Sequence, residues 1–237
     1  MSKPNVDFVI GVERDLQKAP WRALFTTWLF VGDGGCYNVG IETQLNTTNF
    51  ESPVAHVSGS GGFMDPERIA AGFGLTEGMR AADFGSGSGY FTIIMAKKVG
   101  DSGVITAVDL MNPALETLRA KAKMEGLGNI QTVRSNLEIV GSSGLAGDSQ
   151  DMVLLANILF QNSNKARIMD ETRRVIKPGG TLIVIDWRKG AGGFGPPDDL
   201  RTDEEAMKQL VIGSDGLQFV SSIDAGSFHY GLKFIKL

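Results

Sequence analysis

Two aspartates and three glycines carry the chemistry that is legible first. The run Ala81-Ala82-Asp83-Phe84-Gly85-Ser86-Gly87-Ser88-Gly89-Tyr90-Phe91 takes an apolar stretch to an acid, then sets glycines on alternate positions ahead of an apolar helix pattern. A backbone that turns this sharply, with a ligand lying against it, needs residues without a Cβ. The amides of such a loop, followed by a helix N-terminus, form an electropositive cradle. The next apolar run, Val104-Ile105-Thr106-Ala107-Val108-Asp109, also ends in an acid. That second carboxylate stands where a ribose-binding acid belongs in a Rossmann-like unit. The combination points to a nucleoside-type ligand. A plain strand-turn-helix would not require acids at two successive strand ends.

The ligand is narrowed by what surrounds the glycines. The dinucleotide fingerprint is G-x-G-x-x-G, whereas here the spacing is G-x-G-x-G and Tyr90 occupies the place of the last glycine. Asp83 would repel a pyrophosphate but suits a cationic amino-acid end or ribose hydroxyls. The pattern resembles motif I of the class I S-adenosylmethionine (SAM)-dependent methyltransferases, and SAM is the cofactor this implies.

The elements that must position these residues follow from periodicity. Asp65 caps a helix with Pro66 at its first position and Ile69, Ala70 and Phe73 as its stripe. Strands are expected at 79–84, 104–108, 130–133, 151–156 and 181–185. Helices are expected at 90–99, from Asn112-Pro113 to near Gly126, and at 165–176. Lys177-Pro178-Gly179-Gly180 stops the last of these. Strands alternating with amphipathic helices imply a parallel sheet with right-handed crossovers. The tail differs: Thr202-x-x-Glu205 reads as a capping box for a helix to about Val211. Two extended runs follow, at 217–223 and 232–237, joined through Asp224-Ala225-Gly226, and these should pair antiparallel. The expected fold is α/β, with a Rossmann-like seven-stranded, mostly parallel sheet, an antiparallel C-terminal hairpin and helices on both faces.

Residues 1–60 read differently, as a partly helical N-terminal extension ahead of a domain at 61–237. Val12 to Trp28 suits a helix, with Trp21, Phe25, Trp28 and neighbouring Phe30 as aromatics that pack or cap a pocket. Gly32-Asp33-Gly34-Gly35 breaks the pattern, and Ser58-Gly59-Ser60-Gly61-Gly62, just after His56, is a joint.

Composition excludes several classes. The net charge of −4 offers no basic field for nucleic acid, so none is expected as a partner. Cys36 is the lone cysteine, which rules out an intrachain disulfide or a thiolate metal cluster. With no signal-peptide pattern at the N-terminus, a cytoplasmic location is expected. The apolar stretch Ala23 to Val31 is too short to cross a bilayer, so no transmembrane segment is expected.

From about Gly62 onward the chain resembles the ubiquinone/menaquinone-biosynthesis-like methyltransferases. The resemblance rests on Phe63-Met64-Asp65-Pro66-Glu67-Arg68, the glycine motif and Arg174-Val175-Ile176-Lys177-Pro178-Gly179-Gly180. It implies roles by position. Gly85, Ser86, Gly87 and Gly89 would meet the methionine moiety and ribose. Asp83 would hold the amino end, and Asp109 the ribose hydroxyls, with Leu110 against the adenine. Asn136, beside Leu137, stands where the family has an acid that accepts the adenine amino group. Asn157 would lie over the methyl-bearing sulfur.

Departures from the family narrow the acceptor. The histidine often found just after the fourth strand is replaced by the run Ile158-Leu159-Phe160-Gln161. Arsenite methyltransferases need several cysteines. The Asn/Asp-Pro-Pro-Tyr/Phe run of amino-directed DNA methyltransferases is absent at Asn157-Ile158-Leu159-Phe160. Methyl transfer is an in-line displacement, so the protein mainly supplies alignment and sometimes a base. His229 is the candidate base because imidazole titrates near neutrality, and Tyr230 beside it is a candidate to orient the acceptor. A structural role in the last hairpin is the plainer alternative for both. The expected reaction moves a methyl group from SAM to a small, partly apolar acceptor at carbon, oxygen or nitrogen. The alternatives are a SAM-binding scaffold or sensor without catalysis, and an RNA- or protein-directed methyltransferase.

Overall fold

The computed structural model describes residues 64–192, 195–213 and 216–237, and the backbone of 28–31 and 35–38. Strands β1 (Trp28–Val31) and β2 (Gly35–Asn38) pair antiparallel, Val31 opposite Gly35, with the glycine-rich breaker between them. Trp28 is therefore in a strand, not at the end of a helix. The aromatic and branched run Trp28-Leu29-Phe30-Val31 favours extended backbone. The rest of the expected helix, including Trp21 and Phe25, and also His56, lies outside the described residues.

From Met64 on, helices and strands alternate, with two exceptions. Helix α1 (Pro66–Ala71) is capped by Asp65, whose carboxylate accepts from the Glu67 and Arg68 N–H groups. Then come β3 (Arg80–Phe84), α2 (Thr92–Val99), β4 (Val104–Asp109), α3 (Asn112–Met124), β5 (Ile130–Arg134), β6 (Gln150–Ala156), α4 (Lys165–Val175) and β7 (Ile176–Trp187). Helix α5 (Glu204–Ile212), β8 (Leu217–Ile223) and β9 (His229–Lys236) close the chain, and strand follows strand directly from β5 to β6 and from β8 to β9.

Seven strands form one sheet in the order β5-β4-β3-β6-β7-β9-β8. Pairing is parallel from β5 to β7 and antiparallel at β7–β9 and β8–β9. Strand β9 lies between β7 and β8 and none of its residues is fully exposed, whereas β8 is largely exposed and suits an edge. The chain winds outward from β3 through β4 to β5, then returns to place β6 on the other side of β3. That reversal is a topological switch point, and ligands bind outside the carboxyl ends of the strands there.

Alternation along each strand splits the core in two. One face carries Phe84, Val108, Leu155 and Val184 against α4 and α5 residues such as Met169 and Met207. The other carries Ala81, Ile105, Leu154 and Ile185 against Phe73, Phe91 and Met95. Continuous apolar strands are what a sheet covered on both faces requires.

Three details differ from the sequence expectation. Strand β7 starts at Ile176 and includes Lys177-Pro178-Gly179-Gly180 as a bulge. Gln150 pairs with Ile176, but Met152 pairs with Thr181. Gly180 is required there, since a Cβ would stand 2.7 Å from Ile176 Cγ2 and 2.9 Å from the Lys177 carbonyl. Helix α5 is capped by Asp203, not Thr202, because the Asp203 carboxylate reaches the Glu205 and Ala206 N–H groups. Strand β9 begins at His229, so His229 and Tyr230 lie within the sheet rather than in a connection.

Candidate functional site

The glycine run closes the end of β3. The Gly85 and Ser86 N–H groups both donate to the Val108 carbonyl, at 2.7 and 3.2 Å, tying the turn to β4. Gly89 N–H donates to the Ser86 carbonyl at 2.9 Å. Gly85, Gly87 and Gly89 all have positive φ, of 78, 52 and 88°, where an L side chain is disfavoured. Their surroundings separate their purposes. A Cβ on Gly85 would stand 2.6 Å from Ile158 Cδ1, and one on Gly89 would stand 2.3 Å from Leu118 Cδ1. A Cβ on Gly87 would meet nothing within 4 Å. Two glycines thus allow packing, and the central one leaves space that a ligand can fill.

Both strand-end acids are held by this turn. Asp83 is 2% exposed and accepts from Thr92 Oγ1 at 2.5 Å. Burial, together with the Asp109 charge, lifts its carboxyl to about 7 against the lowering pull of Thr92. A cationic ligand end would draw the ionised form out of that balance. Asp109 is half-buried. Its Oδ2 accepts from Gly87 N–H and its Oδ1 from Met111 N–H, both at 2.8 Å. It therefore shapes the loop, and each oxygen keeps a second lone pair for a vicinal diol.

Leu110 is half-buried, and its carbonyl accepts from Arg134 Nε at 3.2 Å. Asn136 Oδ1 accepts from Glu138 N–H at 3.1 Å, which leaves that oxygen one further acceptor position. Leu137 is buried in the core beside Val108. The loop beyond is fastened by Glu171, whose side chain is fully buried. Glu171 accepts from Gly141 N–H at 2.6 Å, from the Ser143 hydroxyl, and from Arg174 through two contacts of 2.8 Å. Burial alone would raise its carboxyl, but these donors hold it down at about 2.

On the other side of the switch point, Asn157 follows β6 with φ of 55°. Its N–H donates to the Ile185 carbonyl at 2.8 Å, and its carbonyl accepts from Gln161 Nε2 at 3.1 Å. Asn157 Oδ1 is buried without a partner, and so is Ser86 Oγ. Buried polar groups are normally satisfied, so these two orphans, one of them next to Gly87 in the chain, mark places for ligand atoms. The cradle therefore fits SAM: Asp83 suits the amino end, Gly87 the close approach, and Asp109 the ribose diol.

Two further residues support the cradle through the fold. Thr92 gives no sequence signal, because only the turn of α2 brings it to Asp83. Asp186 is a third strand-end acid. Its Oδ2 accepts from Phe160 N–H at 3.0 Å and its Oδ1 from its neighbour Trp187 N–H at 2.8 Å. It fixes the segment after Asn157, and burial pushes its carboxyl up to about 7.

His229 and Tyr230 stand at the same carboxyl edge, on β9, opposite Trp187 and Asp186 of β7. Their side chains point to opposite faces. Tyr230 is 1% exposed in the core shared with Met207, and its hydroxyl donates to the Thr202 carbonyl at 3.1 Å. Burial raises its phenol well above the usual range. Its visible work is to hold β9 to the start of α5. The His229 ring lies 4.0 Å from the Trp187 ring, tilted by 40°. Burial first, then the Arg201 and Arg188 charges, holds the imidazole down at about 4. It is therefore neutral at pH 7 and a weak base. Among the described residues, no cluster of His, Cys, Asp or Glu could hold a metal ion, and no helix is long and apolar enough to cross a membrane.

Comparison with known proteins agrees with this geometry. A family model described as "Methyltransferase domain" matches residues 75–218. An arsenite methyltransferase of Halobacterium salinarum is 26% identical over 189 residues, which is 77% of this chain and 46% of that protein. The ubiquinone/menaquinone biosynthesis C-methyltransferase UbiE of Vibrio campbellii is 31% identical over 117 residues, 49% of this chain and 44% of that protein. The matches thus span less than half the length of these curated relatives. The crystal structure of a SAM-dependent methyltransferase from Aquifex aeolicus superimposes with a TM-score of 0.67 at 26% identity, covering 75% of this chain and 93% of that one. The matched span holds the whole cradle from Asp83 to Asn157, and the chain belongs to the methyltransferase-domain family, with the fold of the class I SAM-dependent methyltransferases.

Proposed function

We propose that this chain transfers the methyl group of SAM to a small, partly apolar acceptor at carbon, oxygen or nitrogen. The observation that carries the reading is the open space at Gly87 between Asp83 and Asp109. Bound SAM supplies an electrophilic methyl on a sulfonium. In this reading Asp83 pairs with the amino end and Asp109 with the ribose hydroxyls. Leu110 flanks the adenine, with Leu137 packed in the core behind the loop, and Asn136 Oδ1 accepts from the adenine amino group. Gly85, Ser86, Gly87 and Gly89 line the ligand backbone, and Asn157 sits at the sulfur. The acceptor approaches from the β7–β9 side, where His229 stands. The domain that does this begins near residue 61, after an N-terminal extension, and works in the cytoplasm.

The arsenite relative does not set the acceptor, because this chain has one cysteine, Cys36, with which to hold arsenic. A carbon, nitrogen or oxygen centre on a small molecule fits better, and the net charge of −4 disfavours nucleic acid.

Calorimetry is expected to show SAM and S-adenosylhomocysteine binding and no NAD binding. Incubation with SAM and a metabolite extract should release S-adenosylhomocysteine. Binding without turnover would favour a scaffold, and NAD binding without SAM binding would overturn the reading. Asp109→Ala should weaken SAM binding by about 1.5–3 kcal/mol, the scale of hydrogen bonds to a charged group.

A further inference from the structure

The β7–β9 end of the carboxyl edge holds a buried polar side chain without a partner. His229 is 4% exposed, and neither Nδ1 nor Nε2 has a hydrogen-bond partner. A neutral imidazole carries one donor and one acceptor, so both are idle in a buried place. The neighbours are fixed. Arg188 donates from Nη1 to Glu204 at 2.8 Å and from Nη2 to the His229 carbonyl at 3.1 Å. Arg201 donates to the carbonyls of Pro196, Arg188 and Gly192 at 2.9, 3.0 and 3.1 Å. Both guanidinium groups are engaged by the chain and contribute a positive field at the ring. Trp187 is half-buried, with its indole 4.0 Å from the imidazole and 5.7 Å from the Arg201 guanidinium carbon. Gly195 packs against that indole so closely that a Cβ would stand 2.4 Å from it, which pins Trp187 in place.

We propose that His229 anchors the methyl acceptor by donating a hydrogen bond to an oxyanion, a carboxylate or an ionised hydroxyl, carried on a flat apolar body that lies along Trp187. This rests on the methyltransferase reading and adds the substrate class to it. A positive field favours an anion and opposes an amine that binds as its ammonium form. The field and the burial also keep the imidazole neutral, so the ring gives a hydrogen bond and takes no proton. A charge-assisted bond is the stronger kind, and it satisfies the orphaned donor. The acceptor therefore arrives already ionised at its anchoring group.

The test uses the full chain saturated with S-adenosylhomocysteine, and three probes of similar shape: benzoate, 4-nitrophenolate and uncharged nitrobenzene. Calorimetry should show at least one of the anions binding about tenfold or more tighter than nitrobenzene. His229→Leu should erase that preference, while His229→Gln, which keeps a neutral donor, should retain most of it. Preference for benzoate alone identifies a carboxylate anchor, and preference for 4-nitrophenolate alone an ionised hydroxyl. Equal binding of nitrobenzene, or a preference that survives His229→Leu, overturns the proposal. If the leucine variant does not fold, the wild-type ranking and the glutamine variant still decide. Failure of S-adenosylhomocysteine itself to bind would instead defeat the underlying methyltransferase reading.

Discussion

At the residue scale, the three glycines of one loop do different work, and substitution separates them. Gly89→Ala forces a Cβ into Leu118 and into an unfavourable φ of 88°, so it should lower stability by several kcal/mol, as overpacking and backbone strain do together, about 2–4 kcal/mol in all. Gly87→Ala meets open space and should cost only the left-handed strain, roughly 1–2 kcal/mol, yet it should lose SAM affinity sharply. Urea unfolding alongside calorimetry checks both. Unchanged SAM affinity in Gly87→Ala would mean that the space at Gly87 is not where the ligand lies. Asp83 gives a second contrast. Its carboxyl is lifted to about 7, from an ordinary 3.8. The folded state therefore holds this proton more tightly than the unfolded chain does. The stability it supports is full below about 3.8 and is lost as pH rises through 7. Asp83→Asn should match the wild-type apo protein near pH 4, exceed its stability at pH 8, and bind SAM more weakly. Unfolding at the two pH values measures this.

At the element scale, the loop after β5 is ordered by a residue on another element. Glu171 of α4 collects donors from Gly141, Ser143 and Arg174. Glu171→Ala leaves those groups without their acceptor and should lower stability by about 3 kcal/mol at pH 7, the scale for breaking a buried charged pair. Because the folded carboxyl is held at about 2, against 4.5 ordinarily, its contribution is full above 4.5 and fades as pH falls toward 2. The gap between variant and wild type should therefore narrow at pH 3, as read by denaturant unfolding. A gap independent of pH would mean that packing, not charge, holds the loop. Asp186 does similar work for the segment after β6 through Phe160 N–H. The elements that carry the cradle are thus fixed from outside it, by acids that the ligand does not need to touch.

At the scale of the whole molecule, a switch point between β3 and β6 divides the carboxyl edge. Asp109 and Asn136 lie on the β4–β5 side, and His229 on the β7–β9 side. Ligand binding should stabilise the fold by mass action. S-adenosylhomocysteine at a hundred times its dissociation constant adds about 2.7 kcal/mol, a rise of about 5–10 °C in melting temperature for a domain of this size. NAD at the same concentration should add nothing. A thermal scan with both ligands checks this, and a rise with NAD alone would put the cofactor assignment in error.

The sequence by itself determined the α/β alternation, the seven-stranded sheet with its antiparallel end, the cofactor family and the two acids at successive strand ends. Each of these is a local pattern: apolar runs of strand length, glycines on alternate positions, and caps such as Asp65 with Pro66. Local rules of backbone and burial act within a few residues, so they can be read along the chain. Boundaries failed where a neighbour far along the chain intervened. Lys177-Pro178-Gly179-Gly180 reads as a stop, but pairing with β6 draws it into β7 as a bulge. Thr202 and Glu205 read as a capping box, but Asp203 takes the cap, and the Thr202 carbonyl receives Tyr230 instead. Only the tertiary structure decided which glycine leaves room for a ligand, because that depends on where Ile158 and Leu118 come to rest. It also separated His229 from Tyr230. The pair is adjacent in sequence, but the pleat sends one ring to Trp187 and the other into the core. The imidazole changes from a base into a neutral donor for the same reason: burial and two arginines, distant in sequence and close in space, set its charge.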